Sequence, residues 1–173
     1  MAPGQRLPVG RRDLRGRCKD GHLETLRWAR ENGCDWNANT CEYAAEAGRL
    51  EVLQWLRANG CPWNANTCSV AAQQGQLETL RWARENGCEW DAATCLNAAG
   101  GGQLEILRWL RANGCPWDAG TCHFAVDQGR VEVLRWAREN GCPWMAGTRD
   151  RAAAELGYTD DLGNLVDRNG NPI

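Results

Sequence analysis

A 27-residue period governs this chain. The stretch Thr40–Asn66, TCEYAAEAGRLEVLQWLRANGCPWNAN, returns as Thr67–Ala93, Thr94–Gly120 and Thr121–Gly147, with Gly21, Gly48, Gly75, Gly102 and Gly129 marking the beat. A fixed period of this size is the signature of a solenoid. Each unit is too small to bury its own apolar face, and stacking on its neighbours creates a continuous core. The architecture this implies is all-α, and its natural role is binding.

Two helices are predicted in each unit. In the first full copy Cys41, Ala44, Ala45 and Gly48 recur at i, i+3, i+4 and i+7, a stripe of small residues that lets the first helix approach its neighbours closely. Thr40, Thr67, Thr94, Thr121 and Thr148 each precede a helical run and read as N-caps. The second helix starts near Leu50 and carries Leu50, Val52, Leu53, Trp55 and Leu56 on a wide apolar arc. Glu51 in its first turn and Arg57 in its last suit the helix dipole, and Asn59-Gly60 ends it. A longer rhythm lies above the unit: Leu23–Cys34 and Leu77–Cys88 share LETLRWARENGC, while Leu56–Trp63 and Leu110–Trp117 share LRANGCPW. Duplication of pairs of units explains this alternation.

The ends differ from the middle. Residues 1–12 are rich in Pro, Gly and Arg without periodicity and are expected to form a disordered basic arm. Residues 13–39 read as a divergent, more polar first unit with Asp13 as its cap. Full repeats follow over 40–66, 67–93, 94–120 and 121–147, and 148–173 is a degenerate C-terminal cap. In that cap Arg149 replaces the cysteine, Gly157 comes one place late and Tyr158–Val166 is a candidate closing helix. The net charge of −2 and pI near 5.7 give no bulk attraction to nucleic acid or anionic lipid. No apolar run is long enough to span a membrane, and Met1–Arg12 lacks the apolar core of a secretory signal, so a cytoplasmic or nuclear location is expected.

The Ala44-Ala45, Gly48, Leu50-Glu51, Gly60 and Asn64 sequence, with Gly21-His22-Leu23-Glu24 in the first unit, resembles the ankyrin repeat over roughly residues 13–155. The resemblance implies an ankyrin-like helix-turn-helix solenoid of about six units, without catalysis and without a cofactor, acting through a protein partner. The period is shorter than the family's usual ~33 residues. The missing residues fall between the turn and the next helix, so short loops are expected in place of the family's β-fingers. Trp63 stands where the family usually has Val, and the paired tryptophans are expected to be core that replaces the lost finger.

Comparison of the copies with one another locates a candidate ligand face. About half the columns are identical in all four full units, whereas variation concentrates on the first helix. Glu42, Tyr43, Glu46 and Ala47 become Ser69, Val70, Gln73 and Gln74, then Leu96, Asn97, Gly100 and Gly101, then His123, Phe124, Asp127 and Gln128. These positions share one helical face, which the ankyrin resemblance places on the concave side of the stack. Tyr43 and Phe124 are the expected anchors of an unidentified protein ligand, with the chain itself a monomer. Neither membrane nor nucleic acid is an expected partner.

The cysteines recur as C-x6-C (Cys34/Cys41, Cys61/Cys68, Cys88/Cys95, Cys115/Cys122), with Cys18 and Cys142 besides. Three readings are open: small buried apolar residues, a disulfide within each turn, or metal ligands. The spacing lacks the C-x2–4-C pattern of zinc sites, and His22 and His123 are isolated histidines, so no metal is expected. Bridges between equivalent cysteines are excluded, because packed helices lie about 8–10 Å apart while a disulfide needs Cα atoms about 4.4–6.8 Å apart. Two alternative functions follow from these features: a thiol-based redox or metal sensor, and nucleic-acid binding led by the basic arm.

Overall fold

The computed structural model of this protein describes residues 11–143, 147–156 and 166. All of its elements there are helices: α1 (Arg11–Asp20), α2 (Leu23–Glu31), α3 (Ala38–Glu46), α4 (Leu50–Ala58), α5 (Ala65–Gln73), α6 (Leu77–Glu85), α7 (Ala92–Gly100), α8 (Leu104–Ala112), α9 (Ala119–Asp127), α10 (Val131–Glu139) and α11 (Thr148–Leu156). Of the arm expected over residues 1–12, Arg11 and Arg12 belong to α1 and the rest lies outside the described residues. Asp13 stands inside α1 rather than before it. The start at Arg11 keeps the 27-residue register of Ala38, Ala65, Ala92 and Ala119. The closing helix read over Tyr158–Val166 also falls outside, apart from Val166, which is buried.

Thr40, Thr67, Thr94 and Thr121 are not the N-caps that the sequence suggested. Asn37, Asn64, Asp91 and Asp118 take that role, with extended backbone, each accepting the amide two residues on at 2.9–3.1 Å. The Thr sits three residues inside the helix, and its hydroxyl reaches back to the cap amide at Asn37 (3.2 Å) and at Asp91 (3.4 Å). This is a capping box with Thr in the place usually held by Glu or Gln. Asx side chains win the cap because the chain arrives there extended from the Trp turn, leaving their oxygen free to meet the first amides.

Helix ends follow the sequence. Gly60 has φ of 78°, and the amides of Gly60 and Cys61 close on the carbonyls of Arg57 and Leu56, a Schellman end repeated after every second helix. Asn59 adds its own side chain, donating to the Trp55 carbonyl at 2.8 Å. Only the residues Asn59–Asn64 separate α4 from α5, so short loops stand where β-fingers would project.

The stack has two layers with different spacing. The first helices of the units, α1, α3, α5, α7, α9 and α11, pack one on the next along their length. Cys41, Ala44 and Ala45 and their equivalents are fully buried between them, and side chains this small permit close backbone approach. Each second helix packs on the first helix of its own unit through Val52, Leu53 and Leu56 or their counterparts. Larger side chains hold this second layer farther apart. The first helices thus form the closely packed inner layer of the stack.

Candidate functional site

The variable columns lie on that layer of first helices. Tyr43, Val70, Asn97 and Phe124 stand on consecutive helices α3, α5, α7 and α9, and all four are half-buried. They form one row, open on one side. In the column of Glu42, the residues Ser69, Leu96 and His123 lean toward the following unit instead. Ser69 is 2% exposed and its hydroxyl lies 3.1 Å from Thr94 Oγ1. His123 Nδ1 lies 3.2 Å from Thr148 Oγ1, and Leu96 reaches the backbone of Gly120. Ser69 thus offers no surface to a ligand. Its column is shaped partly by stacking, which no comparison of copies could separate from binding.

A third column is Glu46, Gln73, Gly100 and Asp127. Glu46 Oε1 is 2.6 Å from Lys19 Nζ of the preceding unit, and Asp127 Oδ1 is 2.8 Å from Arg151 Nη1 of the following one. Glu46 and Asp127 are therefore matched across unit boundaries. Gly100 receives the Phe124 ring: a Cβ there would sit 2.2 Å from Phe124 Cδ1. Gly101 approaches even more tightly, its absent Cβ falling 2.1 Å from the Gln73 carbonyl oxygen. At the N-terminal end the Arg15 guanidinium lies 5.4 Å from the centre of the Tyr43 ring.

A set of residues that sequence reasoning missed locks the units together. Arg49 Nε donates to the Lys19 carbonyl at 2.7 Å, Gln103 Nε2 to that of Gln73 at 3.5 Å, and Arg130 Nε to that of Gly100 at 3.0 Å. Each caps the C-terminal end of the preceding unit's first helix, where carbonyls lack partners. These side chains, with that of Gln76, lie against Gly21, Gly48, Gly75 and Gly102, so the glycine that begins each turn is also the floor for a long side chain of the next unit. The signal was present: in every full unit the residue after that Gly is Arg or Gln, each a long side chain ending in N–H donors.

The cysteines contact differently from the C-x6-C pairing. Thiol contacts run within a unit, between Cys41 and Cys61, Cys68 and Cys88, Cys95 and Cys115, and Cys122 and Cys142. The turn thiols also donate to the cap carbonyls of Asn37, Asn64, Asp91 and Asp118 at 3.3–3.5 Å, tying the end of each second helix to the start of its first. The hydrogen bond to Cys61 raises the Cys41 thiol and lowers its partner, and burial adds to the rise at Cys41. None of the ten cysteines, all among the described residues, forms a disulfide, and all but Cys34 are buried. Among the described residues no group of three or more His, Cys, Asp or Glu side chains is placed to hold a metal ion.

The tryptophans join units rather than fill the interior. The turn Trp of one unit meets the helix Trp of the next edge-on in four successive pairs: Trp36–Trp55, Trp63–Trp82, Trp90–Trp109 and Trp117–Trp136. Their ring centres are 5.6–5.9 Å apart. Arg30, Arg57, Arg84 and Arg111 cover the turn rings at 4.2–4.4 Å. The guanidinium of Arg57 also donates to the Cys61 carbonyl, so one side chain holds both ring and turn. These rings bridge the wider layer at the position the missing finger leaves open. They are half-buried rather than core, and Trp28, at 44% exposure, is more open than the others described.

Comparison with known proteins agrees with this geometry. Residues 17–56 match the family model of ankyrin repeats in many copies. The chain is similar in fold to the crystal structure of the human ASB11 ankyrin repeat domain, with a TM-score of 0.66 and 17% identity, over 96% of this chain and 90% of that one. No curated protein sequence matches it. No helix among the described residues is long and apolar enough to cross a membrane. Ankyrin repeats generally mediate protein–protein interaction and generally do not catalyse reactions. Residues 17–56 match ankyrin repeats, and the solenoid has the ankyrin-repeat fold.

Proposed function

We propose that this protein is a non-catalytic interaction module, working in the cytoplasm or nucleus, that holds a protein partner on its inner layer of first helices. The row Tyr43, Val70, Asn97 and Phe124 is the centre of the ligand face, with Gln74 and Gln128 at its rim. One observation carries the reading. The small residues of the first-helix stripe and the paired tryptophans repeat from unit to unit with little change, while this row changes chemistry at every step and stays half-open. Exposed aromatic and aliphatic groups favour association, and aromatic residues are frequent anchors at interfaces.

The test is affinity capture from cell lysate with the native chain beside a variant carrying Tyr43→Ser, Val70→Ser, Asn97→Ala and Phe124→Ser, both checked for helical content. A protein retained by the native chain and lost by the variant supports the reading. Equal recoveries from both would overturn it.

A further inference from the structure

The inner layer has an uncharged centre. Helices α5 and α7, ANTCSVAAQ and AATCLNAAG, contain no ionisable side chain other than one buried cysteine each. On the flanking helices α3 and α9, Glu46 and Asp127 are already matched, and Glu42 on α3 is the carboxylate left beside this uncharged stretch. Lys19 meets Glu46 at 2.6 Å on one side, and Asp127 meets Arg151 at 2.8 Å on the other. Arg130, which borders the centre, is turned onto the Gly100 carbonyl. A charged ligand side chain placed over α5 and α7 would lose its water without gaining a counter-ion, which is costly. What the centre does offer is Val70, half-buried, and the amide groups of Gln73 and Gln74. The exposed Gln128 stands at its edge.

An amide side chain has both a donor and an acceptor, the complement of a free peptide group. A helical ligand has already used its peptide groups internally, whereas an extended one presents them. Spacing favours the extended form too. Packed helices lie about 8–10 Å apart, and an extended chain advances about 3.3 Å per residue, so one residue in three falls opposite each unit.

On the reading that this face binds protein, we infer that its ligand is an extended segment without charged side chains. An apolar residue at every third position meets the Val70 row, and the peptide groups between are held by Gln73, Gln74 and Gln128. Binding of this kind is insensitive to salt, since no ion pair crosses the interface.

The probe is a displayed library of random peptides, selected against the full chain and re-measured as single peptides. Enriched peptides are expected to lack Asp, Glu, Lys and Arg over the contacted stretch and to show an apolar residue in every third place. Their affinity should change by less than about twofold between physiological and 1 M salt, and Val70→Glu should weaken it by roughly tenfold or more. Enrichment of charged peptides whose affinity falls with salt would overturn the inference, as would an empty selection. The underlying reading is decided separately by the four-residue variant, so failure of one is distinguishable from failure of the other. Peptides that bind that variant and the native chain equally would count against both.

Discussion

The ring of Phe124 rests on the bare backbone of Gly100: its Cδ1 and Cε1 atoms lie 2.2 and 2.3 Å from where a Cβ would stand. Two columns that vary independently in the sequence are one contact in the fold. Gly100→Ala should therefore destabilise by about 1–3 kcal/mol through overpacking, although Ala is the better helix former by about 1 kcal/mol. In a double-mutant cycle with Phe124→Ala, denaturant unfolding should show a coupling of about 0.5–3 kcal/mol. Additive effects would mean that the ring swings clear.

Thr94 and Thr121 occupy the same column and should respond oppositely. Thr94 Oγ1 meets the Ser69 hydroxyl and the Asp91 amide. Thr121 Oγ1 is buried without a hydrogen-bond partner, its counterpart one unit back being Leu96. Thr94→Val should cost about 1–3 kcal/mol, whereas Thr121→Val should be neutral or stabilising by up to about 1 kcal/mol. Comparison of urea midpoints decides it, and equal losses would refute the assignment.

Trp82 joins its unit to the preceding one through Trp63, with ring centres 5.8 Å apart. Trp82→Ala should lower stability by about 2–4 kcal/mol, combining lost burial with the aromatic pair. The exposed Trp28 should cost less when truncated. A melting temperature unchanged by Trp82→Ala would show that the rings are ornament.

Arg130 should be replaceable by Gln but not by Glu. Gln103 performs the same clamp one unit earlier, so Arg130→Gln keeps the donor to the Gly100 carbonyl. Arg130→Glu removes it and places an anion at a helix C-terminus, with an expected loss of about 1–2 kcal/mol. Thermal unfolding of the two variants side by side reads the difference.

Thiol chemistry should single out Cys34. With native protein near pH 8, iodoacetamide should label Cys34 first and the nine buried thiols only at the rate of unfolding. Burial, helped by nearby Cys61, pushes the Cys18 thiol up to about 12. An unfolded thiol loses its proton near about 8.5. Between those values the folded state keeps a proton that the unfolded state has released, so stability falls as pH rises. The alkaline loss should be less steep in Cys18→Ala, measured as the urea midpoint against pH.

The sequence by itself determined the repeat, the two helices per unit and the short turns. Periodic Ala, Cys and Leu encode burial directly, and Asn-Gly encodes its own backbone turn. It also located the variable face, because comparing copies shows which positions stay fixed and which change. The tertiary structure decided everything that depends on atoms about one unit apart. It moved the cap from Thr40 to Asn37, since which oxygen meets the first amides depends on the path of the incoming chain. It paired Cys41 with Cys61, and Trp63 with Trp82. It buried Ser69 against Thr94 and revealed Arg49, Gln103 and Arg130 as clamps. A linear pattern records which residues recur, but a contact across a unit boundary is set by helix spacing, and that spacing exists only once the small side chains of the inner layer have packed.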